Sequence, residues 1–348
     1  MNQVSINIVT WNSIKFLPEC LESIRKQTYR DFSVLIIDNG SDDGSLDFIK
    51  GNYSEYSILR NIKNLGFCRA HNQGIEYVVS HIKLDNADSI SSHYIMLMNP
   101  DVILEPDFLE ILVGKAREYS YAASFGGKLL RAFSGEDQNL ESQKSNIMDS
   151  AGICIYKNRS AKDRGGSEED RGQFEKEEEV FGVSGALVLY RADALYKARI
   201  GREYFDEDFF MYKDDVDMAW RLRNFGWSAI YVPEARGYHY RSASPPLSRS
   251  ISEYLKTRKN RSKRANFFSY RNHLLTILKN DYLINLVLHL PFVVFYELKK
   301  ILFLIIFEPR TLLALPSFLA KTPKILAKRK EIFRRTVIKP KEIRQWFK

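Results

Sequence analysis

Two acidic groups in this sequence stand where a folded chain could use them for chemistry. The first is Asn99-Pro100-Asp101, which directly follows the uninterrupted apolar run 94–98. Such a run is typical of a strand buried on both faces of a parallel sheet, and the proline predicts that the strand ends there. Asp101 would then lie at the carboxyl end of a central strand, where open α/β sheets bind ligands. A carboxylate beside an amide suits a divalent cation bridged to phosphate oxygens, although the same tripeptide also forms simple turns.

The second acidic group is Asp214-Asp215, at the start of a predicted helix. Asp217 precedes Arg221 by four residues, a spacing that supports a helix through an ion pair. The helix dipole favours carboxylates in the first turn. The pair is therefore open to two interpretations, as acids that only stabilise a helix terminus or as acids that take part in a reaction.

The elements that would position these acids alternate between strand and helix. Apolar patterning predicts strands at 4–10, 32–37, 94–101, 122–130, 180–191 and 228–233, and helices at 14–27, 68–80 and 107–119. The second strand runs into 38–45, a loop rich in Gly, Asp and Ser. Strand, helix, strand and helix within about fifty residues predict right-handed βαβ units and an α/β fold with a mainly parallel sheet.

The composition limits the class of protein. The chain has 348 residues, of which 45% are hydrophobic, enough for one large domain or two modest ones. Its three cysteines, Cys20, Cys68 and Cys154, are widely spaced, which argues against a disulfide framework or a zinc cluster and for a reducing compartment. Strand-like sequence begins by Val4 without a signal-peptide pattern. We therefore expect a cytoplasmic protein.

The charge divides the chain at about residue 248. Residues 249–348 contain 23 Lys and Arg against 6 Asp and Glu, whereas the first 248 contain 29 against 37. We expect 1–248 to form the α/β domain, with a loop-rich insertion at about 131–179 around one short strand at 152–156. Residues 249–348 are expected to form a basic helical extension.

The basic extension is expected to meet an anionic surface. Its apolar segments, 282–296 and 301–307, are separated by charged residues and are too short for a spanning helix. These segments fit helices that lie in a membrane interface. The alternatives are that they pack on residues 1–248 or form a homodimer contact. Nucleic acid is not expected as a partner, because charge is its only support and no recognised motif is present.

Taken in order, several segments resemble glycosyltransferase family 2, whose members are inverting enzymes with the GT-A fold. Within that family the chain is most similar to bacterial rhamnosyltransferases. The matching segments are residues 8–13, 37–45, 64–67 with Asn72, 98–101, 183–186, 205–217 and 231–235.

The resemblance implies a Rossmann-like, mixed and mainly parallel sheet that binds a nucleotide diphosphosugar. It implies a nucleotide-sugar site made of Thr10, Asn12, Asp38, Asn39, Asn72, Asn99 and Asp101. Asn99 replaces the first aspartate of the family's Asp-X-Asp motif, which leaves Asp101 as the main carboxylate for Mg²⁺ or Mn²⁺. His239 stands where related enzymes often place a further ligand, although a lone histidine after a strand is commonly just a packed side chain.

The remaining roles implied by the resemblance concern the transfer itself. Asp215 falls at the position of the catalytic base, and Gly185, Ala186 and Asp214 fall beside the donor sugar or the acceptor. The expected reaction moves L-rhamnose from dTDP-L-rhamnose to a hydroxyl of a cell-surface polysaccharide precursor or lipid-linked glycan. The alternatives are a UDP-hexose-dependent enzyme of the same fold and a non-catalytic nucleotide-sugar-binding protein, for which Lys213 and Asn99 would signal lost chemistry.

Overall fold

The molecule is organised around a ten-stranded mixed sheet. The computed structural model describes residues 3–85, 87–133, 143–240, 258 and 262–348. The strands are β1 (Val4–Thr10), β2 (Phe32–Asp38), β3 (Ser57–Arg60), β4 (Tyr94–Met98), β5 (Val102–Leu104), β6 (Ala122–Phe133), β7 (Gln143–Ser150), β8 (Ile153–Ile155), β9 (Ala161–Asp163), β10 (Glu178–Glu179), β11 (Leu187–Arg191) and β12 (Ser228–His239). The sheet order is β10-β12-β6-β11-β4-β1-β2-β3, with β5 paired to β12 and β7 to β6.

Strand direction divides the sheet into two parts. Strands β1 to β4 run parallel to one another, whereas β11 is antiparallel to both of its neighbours, β4 and β6. Every residue of β4 is buried. Its even-numbered residues, such as Met96, pack on one face of the sheet, and its odd-numbered residues, such as Leu97, pack on the other. The predicted α/β fold with a mainly parallel sheet and a buried central strand is confirmed.

Helices cover both faces of this sheet. The described α-helices are α1 (Leu17–Arg25), α2 (Ser45–Asn52), α3 (Phe67–Asp85), α4 (Phe108–Glu118), α5 (Ala192–Ala198), α6 (Asp214–Asn224), α7 (Lys263–Asn280), α8 (Leu283–Leu288), α9 (Leu290–Phe307), α10 (Ala314–Arg335) and α11 (Pro340–Arg344). Helices α1 and α4 pack on one face through Leu21 and Leu112. Helices α3, α5 and α6 pack on the other through Ile75, Leu195 and Met218.

The insertion is more ordered than the sequence suggested. The short strand predicted at 152–156 is present as β8, but the prediction of one strand is wrong, because β7, β9 and β10 also lie between 131 and 179 and β6 continues to Phe133. Strand β7 pairs with β6 and β10 with β12, whereas β8 and β9 pair with each other as a separate two-stranded sheet. Their order therefore comes from pairing and not from local patterning.

Two strand boundaries also differ from the prediction. Strand β12 extends to His239, beyond the predicted end at Pro233. The register shifts between Val232 and Arg236, and a strand can continue past a proline at such a bulge, because the backbone N–H that proline lacks is not needed for pairing there. Residues 180–186 precede β11 without belonging to it. The extension of β12 matters for the site, because it carries His239 back to the sheet edge.

The C-terminal extension divides into two structural parts. Helices α7 and α10 pack on the α/β domain, and their residues Leu275 and Ile325 are fully buried in the core of that domain. Helices α8 and α9 lie between them in the sequence and expose most of their large apolar side chains. Among the described residues, no helix combines the length and apolar character needed to cross a membrane.

Candidate functional site

The carboxyl ends of β1, β2 and β4 meet at one edge of the sheet. The register places Thr10 opposite Asp38, and Ile8 opposite Met98. The backbone N–H of Asn39 donates to the Thr10 carbonyl at 2.8 Å. The predicted residues that end these strands therefore lie together, at the edge where parallel sheets bind ligands.

Thr10 and Asp38 form the floor of this edge. Both side chains are fully buried. Asp38 accepts a hydrogen bond from the Ser41 N–H at 3.1 Å, and its other oxygen lies 3.8 Å from Arg60 Nε. Within the ranges that the structure describes, Thr10 Oγ1 and Asp38 Oδ2 have no hydrogen-bond partner. Buried polar atoms are rarely left in this state, so the two atoms are suited to a polar ligand.

Asn12 and Asn39 shape the loops around that floor. Asn12 adopts a left-handed backbone conformation (φ 53°), and its side chain exchanges hydrogen bonds of 2.7 and 2.9 Å with Asp42. Asn39 donates to Asn64 and accepts from the Leu65 N–H, each at 3.1 Å. Both amides thus bind protein groups and fix the loops that border this edge of the sheet.

Asn72 lies further along the cleft wall, on α3. Its amide donates to the Phe205 carbonyl at 2.8 Å and accepts from the Phe205 N–H at 2.7 Å. This pair of hydrogen bonds ties α3 to the segment that leads to α6. Asn72 therefore links α3 to the segment that precedes the acidic pair.

Asp101 lies in a row of three side chains. Val102 pairs with His239 across β5 and β12, which brings His239 Nε2 to 3.3 Å from Asp101 Oδ1. On the other side, His239 Nδ1 lies 2.8 Å from Asp149 Oδ2, and the Asp149 side chain is fully buried. Sequence reasoning identified Asp101 and His239 but missed Asp149, which lies in the insertion and belongs to no motif.

Electrostatics hold this row together. Burial alone would lower the pKa of His239, but the carboxylates of Asp101 and Asp149 outweigh it and raise that pKa to about 10. Burial alone would raise the pKa of Asp101, but the charge of His239 and its hydrogen bond bring that pKa below its usual value. At neutral pH the row is a protonated imidazole donating to two carboxylates.

The donor atoms of Asp101 and His239 fit a divalent cation. A carboxylate oxygen and an imidazole nitrogen face each other, and the outer carboxylate orients the ring, an arrangement that recurs around bound metals. No cluster of three or more His, Cys, Asp or Glu side chains able to hold a metal occurs among the described residues. Two protein ligands leave positions for phosphate oxygens, as is common for cations that bind with a nucleotide.

A short chain of contacts connects Asp215 to the same edge of the sheet. The Asn99 N–H donates to the Ala186 carbonyl at 2.8 Å, and the N–H of the adjacent Gly185 lies 3.4 Å from Asp215 Oδ2. A side chain at Gly185 would approach the Asp215 Cβ at 3.2 Å. The small residues 185–186 therefore allow the first turn of α6 to lie beside the end of β4.

The acidic pair is partly protonated near neutral pH. Burial, followed by repulsion from Asp215, raises the pKa of Asp214 to about 8. Burial also raises the pKa of Asp215, although Lys213 opposes it. Two adjacent carboxyls, one buried and one half-buried, do not both ionise readily. The pair can therefore hold one proton and present one carboxylate.

The loop before α6 is held by the C-terminal extension. Phe210, Tyr212 and Lys213 have positive φ angles of 65–68°, a conformation that costs about 1 kcal/mol or more per residue. The Asn272 amide of α7 donates to the carbonyls of residues 209, 211 and 212 at 2.8–2.9 Å. No local signal in the sequence marked Asn272 for this contact.

Comparisons with known proteins were made for sequence and for fold. Residues 5–198 match the family described as "Glycosyl transferase family 2". The N-acetylglucosaminyl-diphospho-decaprenol L-rhamnosyltransferase of Mycobacterium tuberculosis is 28% identical over 237 residues, covering 68% of this chain and 75% of that protein. Chondroitin synthase of Escherichia coli is 31% identical over 117 residues, covering 33% of this chain and 15% of that protein.

Two solved structures share the fold. GalNAc-T7 with UDP, GalNAc and Mn²⁺ aligns with a TM-score of 0.55 at 12% identity, over 80% of this chain. This chain spans about half of that one, 49%. S. aureus TarS 1–349 aligns with a TM-score of 0.50 at 14% identity, over 99% of this chain and 91% of that one. At these identities the likeness concerns the fold.

Proposed function

Because this chain belongs to glycosyltransferase family 2, we propose that it is an inverting enzyme that transfers L-rhamnose from dTDP-L-rhamnose. The proposed acceptor is a hydroxyl group of a lipid-linked glycan or cell-surface polysaccharide precursor. The choice of sugar and acceptor is supported by the similarity to the mycobacterial rhamnosyltransferase. The observation that carries the proposal is the contact chain from Asn99 through Ala186 and Gly185 to Asp215, which joins a nucleotide edge to a carboxylate.

In this proposal the donor's nucleoside occupies the edge formed by β1 and β2. Thr10 Oγ1 and Asp38 Oδ2, buried without hydrogen-bond partners among the described residues, would bind the polar groups of the base and ribose. Asn12 and Asn39 hold the surrounding loops in place. Asn99 would lie beside the ribose, while Asn72 keeps α3 in register with the segment before α6.

Asp215 would be the general base of the transfer. The Gly185 N–H lies beside one of its oxygens and the Val216 N–H beside the other, at 3.4 and 2.7 Å, so the carboxylate has a fixed orientation. Asp214 would retain a proton near neutral pH, because burial and its neighbour raise its pKa to about 8. That proton lets Asp215 stay ionised and accept the acceptor's hydroxyl proton as the new bond forms. A single displacement inverts the anomeric carbon.

Asp101 and His239 would hold a Mg²⁺ or Mn²⁺ ion together with the donor's diphosphate. A bound cation supplies Lewis acidity that offsets charge on the leaving diphosphate. Asp149 would keep the imidazole ring turned toward Asp101 through its 2.8 Å contact with Nδ1. Ligation needs Nε2 without its proton, so cation binding would release the proton that His239 holds.

We place the reaction on the cytoplasmic side of a membrane that carries the acceptor. All three cysteines are free and buried, as expected in a reducing compartment. The proposed membrane contact involves the C-terminal helices, and a homodimer formed through the same surface is the competing possibility.

The test of the base compares two aspartates at helix starts. Asp215→Asn should lower kcat by about 10²- to 10⁴-fold, the usual contribution of a general base, with donor affinity unchanged. Asp193→Asn, in the first turn of α5, should keep normal activity. Release of dTDP from dTDP-L-rhamnose with an acceptor and Mn²⁺ gives the rate, and calorimetry gives donor affinity. Normal turnover by Asp215→Asn would show that the base lies elsewhere.

The donor and the cation are tested by a thermal-shift screen. A ligand that binds only the native state raises the melting temperature, so dTDP-L-rhamnose with Mn²⁺ should give a larger shift than UDP-glucose, UDP-galactose or UDP-N-acetylglucosamine. Asp101→Ala should abolish the extra shift that Mn²⁺ provides. A larger shift with a UDP-sugar would favour the UDP-hexose enzyme, and a shift without turnover on any acceptor would favour a binding protein.

A further inference from the structure

Helix α9 presents an apolar stripe to its surroundings. Phe295, Leu298, Leu302, Ile305 and Ile306 recur at three- and four-residue spacing, and each side chain is more than half exposed. Residues at this spacing lie on one face of a helix. Large exposed apolar patches on a protein mark a surface that another partner covers.

The opposite face of α9 is fixed to the protein. Glu297 accepts hydrogen bonds from Tyr270 at 3.0 Å and from His273 Nε2 at 2.9 Å, both on α7. Leu304 is fully buried in a small cluster with Tyr270. Because polar and buried contacts hold one face, the apolar stripe is the outward face of a docked helix, and its direction is set by the fold.

The apolar surface continues into the neighbouring elements. The additional exposed side chains are Leu283, Ile284, Val287, Leu288, Leu290, Phe292, Val294, Phe307, Leu313 and Leu319. They belong to α8, α9, the turn after α9 and the start of α10. None of the helices in the described part of the chain is long and apolar enough to span a membrane. An apolar surface of this size fits an element that lies in a lipid interface.

Basic side chains border the apolar surface. A cleft of about 610 Å³ opens between the 156–158 turn and α9, with an aromatic wall that includes Phe292 and Phe295. Lys157, Lys299 and Lys348 line the same cleft, and Lys157 Nζ lies 5.8 Å from the Phe292 ring centroid. Aromatic rings next to lysines match the boundary between acyl chains and phosphate headgroups.

We propose that α8 and α9 dock this protein on an anionic lipid bilayer, with Phe295, Leu298 and Leu302 among the acyl chains and Lys157, Lys299 and Lys348 against lipid phosphates. A bilayer is favoured over a second copy of the chain by charge. Lys157, Lys299 and Lys348 border this surface, so two copies joined there would bring like charges together, whereas anionic lipid gains about 1 kcal/mol per nearby basic residue. The inference deepens the proposed function, because it gives a lipid-linked acceptor a surface on which to meet the enzyme.

The test is vesicle flotation with the full chain. Wild-type protein should float with phosphatidylglycerol-rich vesicles, bind neutral phosphatidylcholine vesicles about tenfold more weakly, and lose binding at high salt. The double variant Leu298→Glu/Leu302→Glu should reduce binding to anionic vesicles by about tenfold or more. The control Tyr121→Glu, at an exposed tyrosine preceding β6, should bind like wild type.

A labelled variant distinguishes the possible occupants of the stripe. The native cysteines are buried, so Leu298→Cys can be labelled selectively with a polarity-sensitive dye. The emission should report water without vesicles and shift to the blue with anionic vesicles. A blue emission without vesicles that depends on protein concentration would identify a second copy, and one independent of concentration would identify other residues of this chain. Either result, or wild-type protein that ignores anionic vesicles, would overturn the proposal.

The same variants test the proposed function independently of the membrane contact. The thermal shift given by dTDP-L-rhamnose with Mn²⁺ should be the same in wild type and in Leu298→Glu/Leu302→Glu, because the stripe is not part of the donor site. Loss of vesicle binding with an intact donor shift supports the membrane contact. An intact donor shift with no vesicle binding in any variant removes the membrane contact and leaves the transferase proposal standing.

Discussion

Replacing Lys279 with methionine tests whether the basic extension supports the catalytic region. Lys279 is fully buried on α7, and its Nζ lies 2.6 Å from Asp206 Oδ2 and 2.8 Å from Asp217 Oδ2. Both carboxylates are about 1% exposed. Asp217 belongs to α6, the helix whose first turn contains the proposed base, so this contact joins the extension directly to the site.

The expected loss of stability follows from the charges that remain. Removing one partner of a buried ion pair typically costs about 3–5 kcal/mol, because the other charge is left uncompensated. Here Asp206 would keep Lys328, and Asp217 would keep Arg221 at 3.2 Å and Asn280 at 2.7 Å. Methionine fills most of the space of the lysine stem, so little cavity is added. We therefore expect the lower end of the range, about 3 kcal/mol.

A matched lysine on α10 provides the control. Lys324 Nζ lies 2.7 Å from Asp208, but the Lys324 side chain is 55% exposed. Exposed ion pairs contribute about 0–1 kcal/mol, so Lys324→Met should change the free energy of unfolding by no more than that. The comparison separates the effect of burial from the effect of removing a positive charge.

Urea denaturation of both variants gives the free energies of unfolding. The double variant Lys279→Met/Asp206→Asn should recover part of the loss, because it removes a buried carboxylate that the single variant leaves with only one of its two lysine partners. It also provides a measurement if the single variant folds poorly. Equal stability losses for Lys279→Met and Lys324→Met, or no recovery in the double variant, would refute the reasoning.

Two further predictions concern the acidic groups of the site. Asp149→Asn should weaken Mn²⁺ binding in the presence of donor by about 10- to 100-fold, the usual effect of removing an orienting carboxylate, and calorimetry measures it; unchanged affinity would mean that Asp149 does not orient His239. Asp214→Asn should become more stable relative to wild type as pH rises from about 4 to about 8, because burial and Asp215 raise the pKa of Asp214 from 3.8 to about 8. In that window the folded wild type holds a proton that the unfolded chain has lost, so wild-type stability falls as pH rises; a difference in denaturation midpoint that stays constant with pH would contradict this pKa.

The strands and their ends could be predicted because their signals are local. The run 94–98 is apolar at every position and stops at a proline, and the structure ends β4 at Met98. The loops after β1 and β2 carry the Gly, Asp and Asn residues that turns require. Residues at strand ends in a parallel sheet necessarily share one edge, which is why Thr10, Asp38 and Asn99 meet.

The supporting contacts could not be predicted, because they join residues far apart in the sequence. Asp149 meets His239 across 90 residues, and Lys279 meets Asp217 across 62. Neither Asp149 nor Asn272 belongs to a motif, and neither stands at a position with a recognisable period. Strands β7 and β10 of the insertion could not be predicted for the same reason, since they pair with β6 and β12.

The order of the C-terminal helices connects the proposed membrane contact to the site. Helices α8 and α9 lie between α7 and α10 in the chain, and both flanking helices are anchored by buried contacts with residues 203–217. Helix α7 also supplies Asn272, which holds the carbonyls of the loop before Asp215, and it binds Glu297 of α9. A bilayer contact at the apolar stripe therefore fixes the height of Asp215 above the membrane through rigid helices. An acceptor hydroxyl on a lipid-linked glycan would meet the base at a set distance from the headgroups, so glycan length would decide which hydroxyl is reached.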